Sequence, residues 1–125
     1  MNRNRRTQIP FIETNTGKLI HLQSSWEVKI AKKLDDLKIE WIRPSKRIKW
    51  DDGGRIRTYL PDFYLPEYDL YLDVKNHIGI SQQKLKIEEC SKIINLIVLE
   101  LQPMIDYLEA LSRLELDLRR SKRPV

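Results

Sequence analysis

Apolar side chains recur at Trp26, Ile30, Leu34 and Leu37, the interval of a helix that buries one face, and they predict an amphipathic helix over about residues 25–38. Ser24 and Glu27 ahead of it have the spacing of a capping box. Residues 17–23 (GKLIHLQ) predict a short strand, and the first dozen residues are expected to be mobile. Residues 40–43 and 46–50 read as strand with Pro44 interrupting them. Asp51-Asp52-Gly53-Gly54 then signals a tight turn, and residues 55–60 return as a hairpin partner.

Pro66-Glu67-Tyr68-Asp69 marks another turn, after which residues 70–76 predict a strand. Residues 81–92 read as helix with Ser81 at its start, and residues 94–99 (INLIVL) form the continuous apolar run of a strand covered on both faces. Pro103 stands where a last helix begins, with Met104, Leu108, Leu111 and Leu118 along one side. This order predicts a single α/β domain over residues 1–125, with a central mixed β-sheet flanked by helices.

Charge sharpens the picture. The chain has 125 residues, and 23 Lys and Arg against 18 Asp and Glu give a net charge of +5. The basic residues cluster at Arg3, Arg5 and Arg6, at Arg119, Arg120, Lys122 and Arg123, and internally at Arg43, Lys46, Arg47 and Lys49. Basic ends are ordinarily solvated tails, but an internal cluster beside acidic residues points to a polyanionic substrate. No apolar run approaches membrane-spanning length, and the N-terminus is charged unlike a signal sequence. Cys90 is the only cysteine, so no intrachain disulfide is expected and a reducing, cytoplasmic setting is the default. In a predicted helix Cys90 reads as a small buried hydrophobe. His21 and His77 lack partners at zinc-ligand spacing.

The candidate chemistry lies in Tyr59-Leu60-Pro61-Asp62-Phe63 and Tyr71-Leu72-Asp73-Val74-Lys75-Asn76. Asp62 sits on a bend after a strand. Strand alternation puts Asp73 and Lys75 on one face and Leu72 and Val74 on the other. Two hard carboxylates beside a cation suit a divalent metal and a phosphate together.

These residues resemble the PD-(D/E)xK nucleases with the restriction-endonuclease-like fold. Pro61-Asp62 matches the first half of that motif and Asp73-Val74-Lys75 the second, while Glu27 matches an acidic residue that many members carry on the first helix. The spacing of Glu27, Asp62, Asp73 and Lys75 is most similar to the phage junction-resolving endonuclease I group, although Asp73 stands where glutamate is common there. The resemblance spans roughly residues 20–100.

It implies a Mg²⁺-dependent endonuclease, with Mn²⁺ substituting, that hydrolyses phosphodiesters in four-way junctions and works as a homodimer in a host cell. It also implies metal ligation by Glu27, Asp62, Asp73 and the Val74 carbonyl. Lys75 would orient the attacking water, and Arg43, Lys46, Arg47, Lys49, His77, Gln83 and Lys84 would contact DNA. Nicking or homing endonucleases and transposon-end-cleaving subunits share the same core. A non-catalytic basic DNA-binding module is the competing class. In that reading Glu27 only closes a capping box, Asp62 stabilises a turn, and Asp73 with Lys75 forms a solvated strand face.

Overall fold

A computed structural model of the chain describes residues 9–13, 16–22 and 24–121, apart from the side chains of 117 and 119–121. The basic residues Arg3, Arg5, Arg6, Lys122 and Arg123, and the side chains of Arg119 and Arg120, lie outside the described residues.

The elements run β1 (Ile9–Ile12), β2 (Leu19–Leu22), α1 (Ser25–Asp36), β3 (Ile48–Asp52), β4 (Arg55–Tyr59), β5 (Phe63–Leu65), β6 (Leu70–Val74), α2 (His77–Gln82), α3 (Lys84–Ser91), β7 (Leu96–Leu99) and α4 (Leu101–Ser121). The class is mixed α/β, but the strands do not join into the one central sheet that the pattern predicts. Among the described residues three small sheets form instead: β1 with β2, β3 with β4, and β5-β6-β7. The last is itself mixed, with β6 antiparallel to β5 and parallel to β7.

Alternation along β6 divides the molecule into two cores. Leu72 faces a large core with Ile30, Ala31 and Leu34 of α1 and Met104 and Leu108 of α4, all fully buried. Trp41 and Phe63 join that core, with their rings edge to face at 5.3 Å. The opposite face of the sheet carries a smaller core of Trp50 from β3, Tyr59 from β4 and Cys90 from α3, with Leu96 against it. Asp73 points to this second side, so a carboxylate comes to lie beneath a hairpin.

Local rules account for most of the boundaries. Ser24 caps α1, its hydroxyl accepting the Glu27 N–H at 3.2 Å. Gly53 and Gly54 both take positive φ (61° and 93°), as a two-residue hairpin loop that matches strand twist requires.

Other expectations need correction. Ile9–Ile12 is a strand paired with β2 and not part of a mobile end. Of residues 40–43, only Ile42 pairs, through a lone bridge to Tyr64. The helix expected over residues 81–92 begins at Asn76, whose side chain caps the Gly79 N–H at 2.7 Å, and it breaks at Gln83 into α2 and α3. His77 is therefore helical, and Ser81 starts nothing. The residues of β7 are only half-buried, because β7 is an edge strand. On α4, Met104 and Leu108 are buried and Leu111 packs against them, while Leu118 is exposed.

Candidate active site

Three elements deliver three carboxylates to one corner. Glu27 lies one turn before Ile30 and Ala31 and two turns before Leu34 on the buried stripe of α1, so the geometry that builds the core also carries a charge inward. It is 3% exposed. Such a group needs a charged partner, and Arg43 supplies one: its Nη1 donates to Glu27 Oε1 at 2.9 Å. The same nitrogen reaches the Asp62 main-chain carbonyl at 3.4 Å.

Asp62 is placed by the end of a ladder. Phe63 pairs with Leu72, and the preceding Pro61 has no N–H with which to continue. Tyr71 and Lys75 of the β6 segment send their N–H groups toward the β7 side, to Asn95 and Leu99. The Val74 N–H points the other way, and Asp62 Oδ2 accepts it at 3.1 Å. A side chain thus replaces the missing strand and fixes the carboxyl beside Asp73.

Asp73, 2% exposed, receives two donors on one oxygen. The Tyr59 hydroxyl donates to Oδ2, and Lys75 Nζ stands 3.3 Å from the same atom. Burial pushes the Tyr59 hydroxyl pKa far above its ordinary value, and the Asp73 carboxylate adds to the shift. The carboxyls of Asp73 and Glu27 lie near enough to the Asp62 carboxyl to act on it. Burial first, then those two neighbours, raise its pKa well above the carboxylate range. The corner therefore holds Asp62 toward its protonated form, and close carboxylates of this kind gain from a cation among them.

The donor set is hard oxygen throughout, the chemistry that Mg²⁺ prefers. As the side chains stand, no three His, Cys, Asp or Glu among the described residues converge as ready ligands. Arg43 already neutralises Glu27, and Oδ2 of both aspartates is engaged by protein donors. The Val74 N–H also meets the site, where it positions Asp62.

The residues expected to contact DNA divide. Arg43 turns inward to Glu27, and Gln83 lines a cleft of about 570 Å³ together with Lys75, Asn76 and Trp26. Gly79 in that cleft wall packs α2 closely, since a Cβ there would come 3.3 Å from Asn76 Oδ1 and 3.5 Å from Lys75 Cβ. Lys46, Arg47, Lys49, His77 and Lys84 are all exposed. His77 Nδ1 is 3.4 Å from Glu100, and Lys84 is 4.0 Å from Glu88.

Three participants carry no motif of their own. Tyr59 orients Asp73. Lys86 lies 4.6 Å from the centre of the Tyr59 ring, its pKa lowered first by burial and then by Lys75. Glu13, 4% exposed, accepts the Arg43 N–H at 2.8 Å and so holds the backbone from which Arg43 reaches Glu27. Only Tyr59 had a signal, as the last residue of the strand that leads into Pro61-Asp62.

Among the described residues, no helix is long and apolar enough to cross a membrane. Compared with models of known families, with curated proteins and with solved structures, the chain finds no match in any of the three.

Proposed function

We propose that this chain is a Mg²⁺-dependent DNA endonuclease of restriction-endonuclease-like design, cutting phosphodiesters by direct attack of water and acting on four-way junctions. The observation that carries the reading is the gathering of Glu27 from α1, Asp62 from the bend before β5 and Asp73 from β6, with Lys75 held 3.3 Å from Asp73. A solvated strand face would leave Asp73 exposed. Here it is buried beside Lys75, with Asp62 and Glu27 as further carboxyl neighbours, a packing of acid and base together that an ordinary strand face does not show.

Magnesium bound there would offset the clustered charge and polarise the scissile phosphate. Asp62, held in place by the Val74 N–H, would be one residue to hold the ion. Asp73 presents Oδ1, because Tyr59 and Lys75 occupy Oδ2. Glu27 would be a further ligand if Arg43 gave up its oxygen, and the guanidinium would then be free to meet a phosphate. Lys75 orients the attacking water and stabilises charge on the phosphorane as the bond to the leaving oxygen breaks. Exposed Lys46, Arg47 and Lys49 extend a basic surface from the Arg43 segment. Paired cuts need two such sites, and a homodimer meets that need. Leu114 and Leu118, exposed and one turn apart near the outer end of α4, are apolar surface that a second copy could cover.

The test is cleavage of labelled four-way junction, linear duplex and single strand in Mg²⁺ or EDTA, by wild type and Lys75→Ala. Metal-dependent cutting of the junction alone, lost in the variant, supports the full reading. Duplex cutting keeps the enzyme but moves its target to sequence, as in homing, nicking or transposon-end enzymes. DNA binding by a folded protein that cuts nothing in metal sinks it in favour of a basic binding module.

A further inference from the structure

Helix α3 carries two lysines, Lys84 and Lys86, and a third, Lys92, caps its C-terminal end. Two of these are occupied on the helix itself: Lys84 lies 4.0 Å from Glu88, and Lys92 donates to Glu89 at 2.9 Å. Lys86 is different. It stands one turn before Cys90, which is fully buried in the small core with Trp50 and Tyr59, so the face of α3 that packs against the hairpin also carries Lys86 toward it. Its Nζ lies 4.6 Å from the centre of the Tyr59 ring, and among the described residues no carboxylate comes within ion-pair distance of it. The hydroxyl of the same tyrosine donates to Asp73.

The Lys86 ammonium is half-buried, and three groups of the acidic corner act on it: Lys75 repels it, while Asp73 and Asp62 attract it. The corner thus has two lysines, Lys75 at the end of β6 and Lys86 from α3 on the Tyr59 ring. Two ammonium groups near each other repel, and half-burying one without an ion pair adds to the cost. Packing gives no reason to accept it, since a methionine would cover the ring without a charge. An anion beside the pair offsets both costs. Arg57, another cation of the cleft that Lys86 lines, is already taken by Asp52 at 2.5 Å. We propose that Lys86 grips a phosphate of the DNA backbone next to the one that is cut, while Lys75 serves the cut itself. The assignment rests on the nuclease reading and adds the path of the strand, which crosses Tyr59 from one lysine to the other. An ammonium on a flexible stem suits this role, because it meets a phosphate as a point charge. Such a contact positions the strand and reads no sequence.

The experiment places a methylphosphonate, which removes one backbone charge, at each phosphate in turn around the branch point of a four-way junction, and measures binding in EDTA. Wild type should lose several-fold in affinity at a position next to the cut mapped in Mg²⁺. Lys86→Met, which keeps an unbranched stem over Tyr59, should bind the unmodified junction several-fold more weakly and lose nothing further at that position. Its slope of log affinity against log salt should be shallower by about 0.9, the share of one phosphate contact. Lys86→Arg keeps the charge and should keep the wild-type loss. Equal losses in wild type and Lys86→Met at every position, or none at any, overturn the contact, and Mg²⁺-dependent cutting by the same wild type leaves the nuclease standing. A position sensitive in wild type and silent in Lys86→Met, in a protein that cuts nothing, removes the nuclease and keeps Lys86 as a DNA contact. If Lys86→Met melts well below wild type and Lys86→Arg is also silent at that position, Lys86 belongs to the fold and the proposal is overturned.

Discussion

Glu109 and Asp62 are both carboxylates, and the fold moves them in opposite directions. Glu109 sits on the rim of the α1–α4 seam, where Lys33 Nζ approaches its Oε1 at 2.7 Å and holds its pKa below the ordinary value. Asp62 sits in the acidic corner, where burial and two further carboxyls push its pKa up. The seam beneath Glu109 is apolar and its charges are peripheral. The corner around Asp62 gathers charge where solvent is scarce. One region serves folding; the other is held together by folding and resists it. Sites that cluster like charges in this way are candidates for chemistry because packing alone gives no reason for them.

The largest expected effect separates the two regions outright. If Asp62 holds the metal as proposed, Asp62→Asn should lower cleavage by about 10³-fold or more, because it removes the anionic charge the ion would bind. In EDTA the same variant should melt higher than wild type. The sign follows from linkage: native Asp62 keeps its proton at pH values where the unfolded chain has released it. Wild-type stability relative to the variant therefore falls as pH rises from the ordinary carboxylate range through the raised pKa, and then levels off. Thermal melts of both proteins across pH read this directly. A variant that is inactive and also less stable at neutral pH would contradict the account of the corner.

Leu108→Ala tests the other side. Leu108 is fully buried in the large core, and its truncation should cost about 2–5 kcal/mol in urea unfolding. Cleavage per folded molecule should hold. Arg43→Leu comes next and belongs to the corner: it strips Glu27 of a buried partner, a loss of about 3 kcal/mol. Mg²⁺ should restore a larger share of that loss than of the Leu108→Ala loss, since only the corner gains from a cation. Equal rescue of both variants would erase the distinction.

The same contrast explains what the sequence could convey. The apolar intervals of α1 and the start of α4 are local patterns, and local patterns survive into the structure. That Asp73 and Lys75 share a face was legible from strand alternation, and the bend at Asp62 from Pro61, whereas Glu27 stood out only through the resemblance. Long-range partners leave no such trace. Arg43 read as one of a basic run, yet a buried glutamate 16 residues earlier turns it inward. β1 was missed because it is short, contains Pro10, and pairs in a two-stranded ribbon where the register Pro10↔His21 carries no hydrophobic signature. The break at Gln83 was hidden because both halves of residues 81–92 favour helix, and the cap responsible, Asn76, was taken for the end of a strand. The three separate sheets follow from pairings that no single segment encodes.

Tyr59→Phe probes the corner more gently. Asp73 keeps Lys75 on Oδ2 but loses a donor, and a hydrogen bond to a charged group is worth about 1.5–3 kcal/mol. If Asp73 ligates the metal as proposed, Tyr59 acts only by positioning it, and its loss should raise the Mg²⁺ concentration needed for half-maximal cleavage more than it lowers the rate at saturating metal. A fall in the saturated rate with unchanged metal demand would place Tyr59 in the chemistry itself.

Glu109→Gln should have the smallest effect of all, and its direction completes the comparison. A carboxylate with a lowered folded pKa stabilises the fold above its unfolded pKa, and that contribution disappears as pH falls through the folded value. Asp62 behaves in the opposite sense. The Lys33–Glu109 pair lies partly in solvent, so side-chain entropy and salt consume most of its attraction. Melting of Glu109→Gln should be nearly indistinguishable from wild type in high salt, with a small deficit emerging at neutral pH and low salt. Salt should leave the Asp62→Asn difference much less altered, because buried charges are poorly screened. If both differences vanished together in salt, the corner would be an ordinary surface cluster, and the strongest physical argument for a catalytic site would go with it.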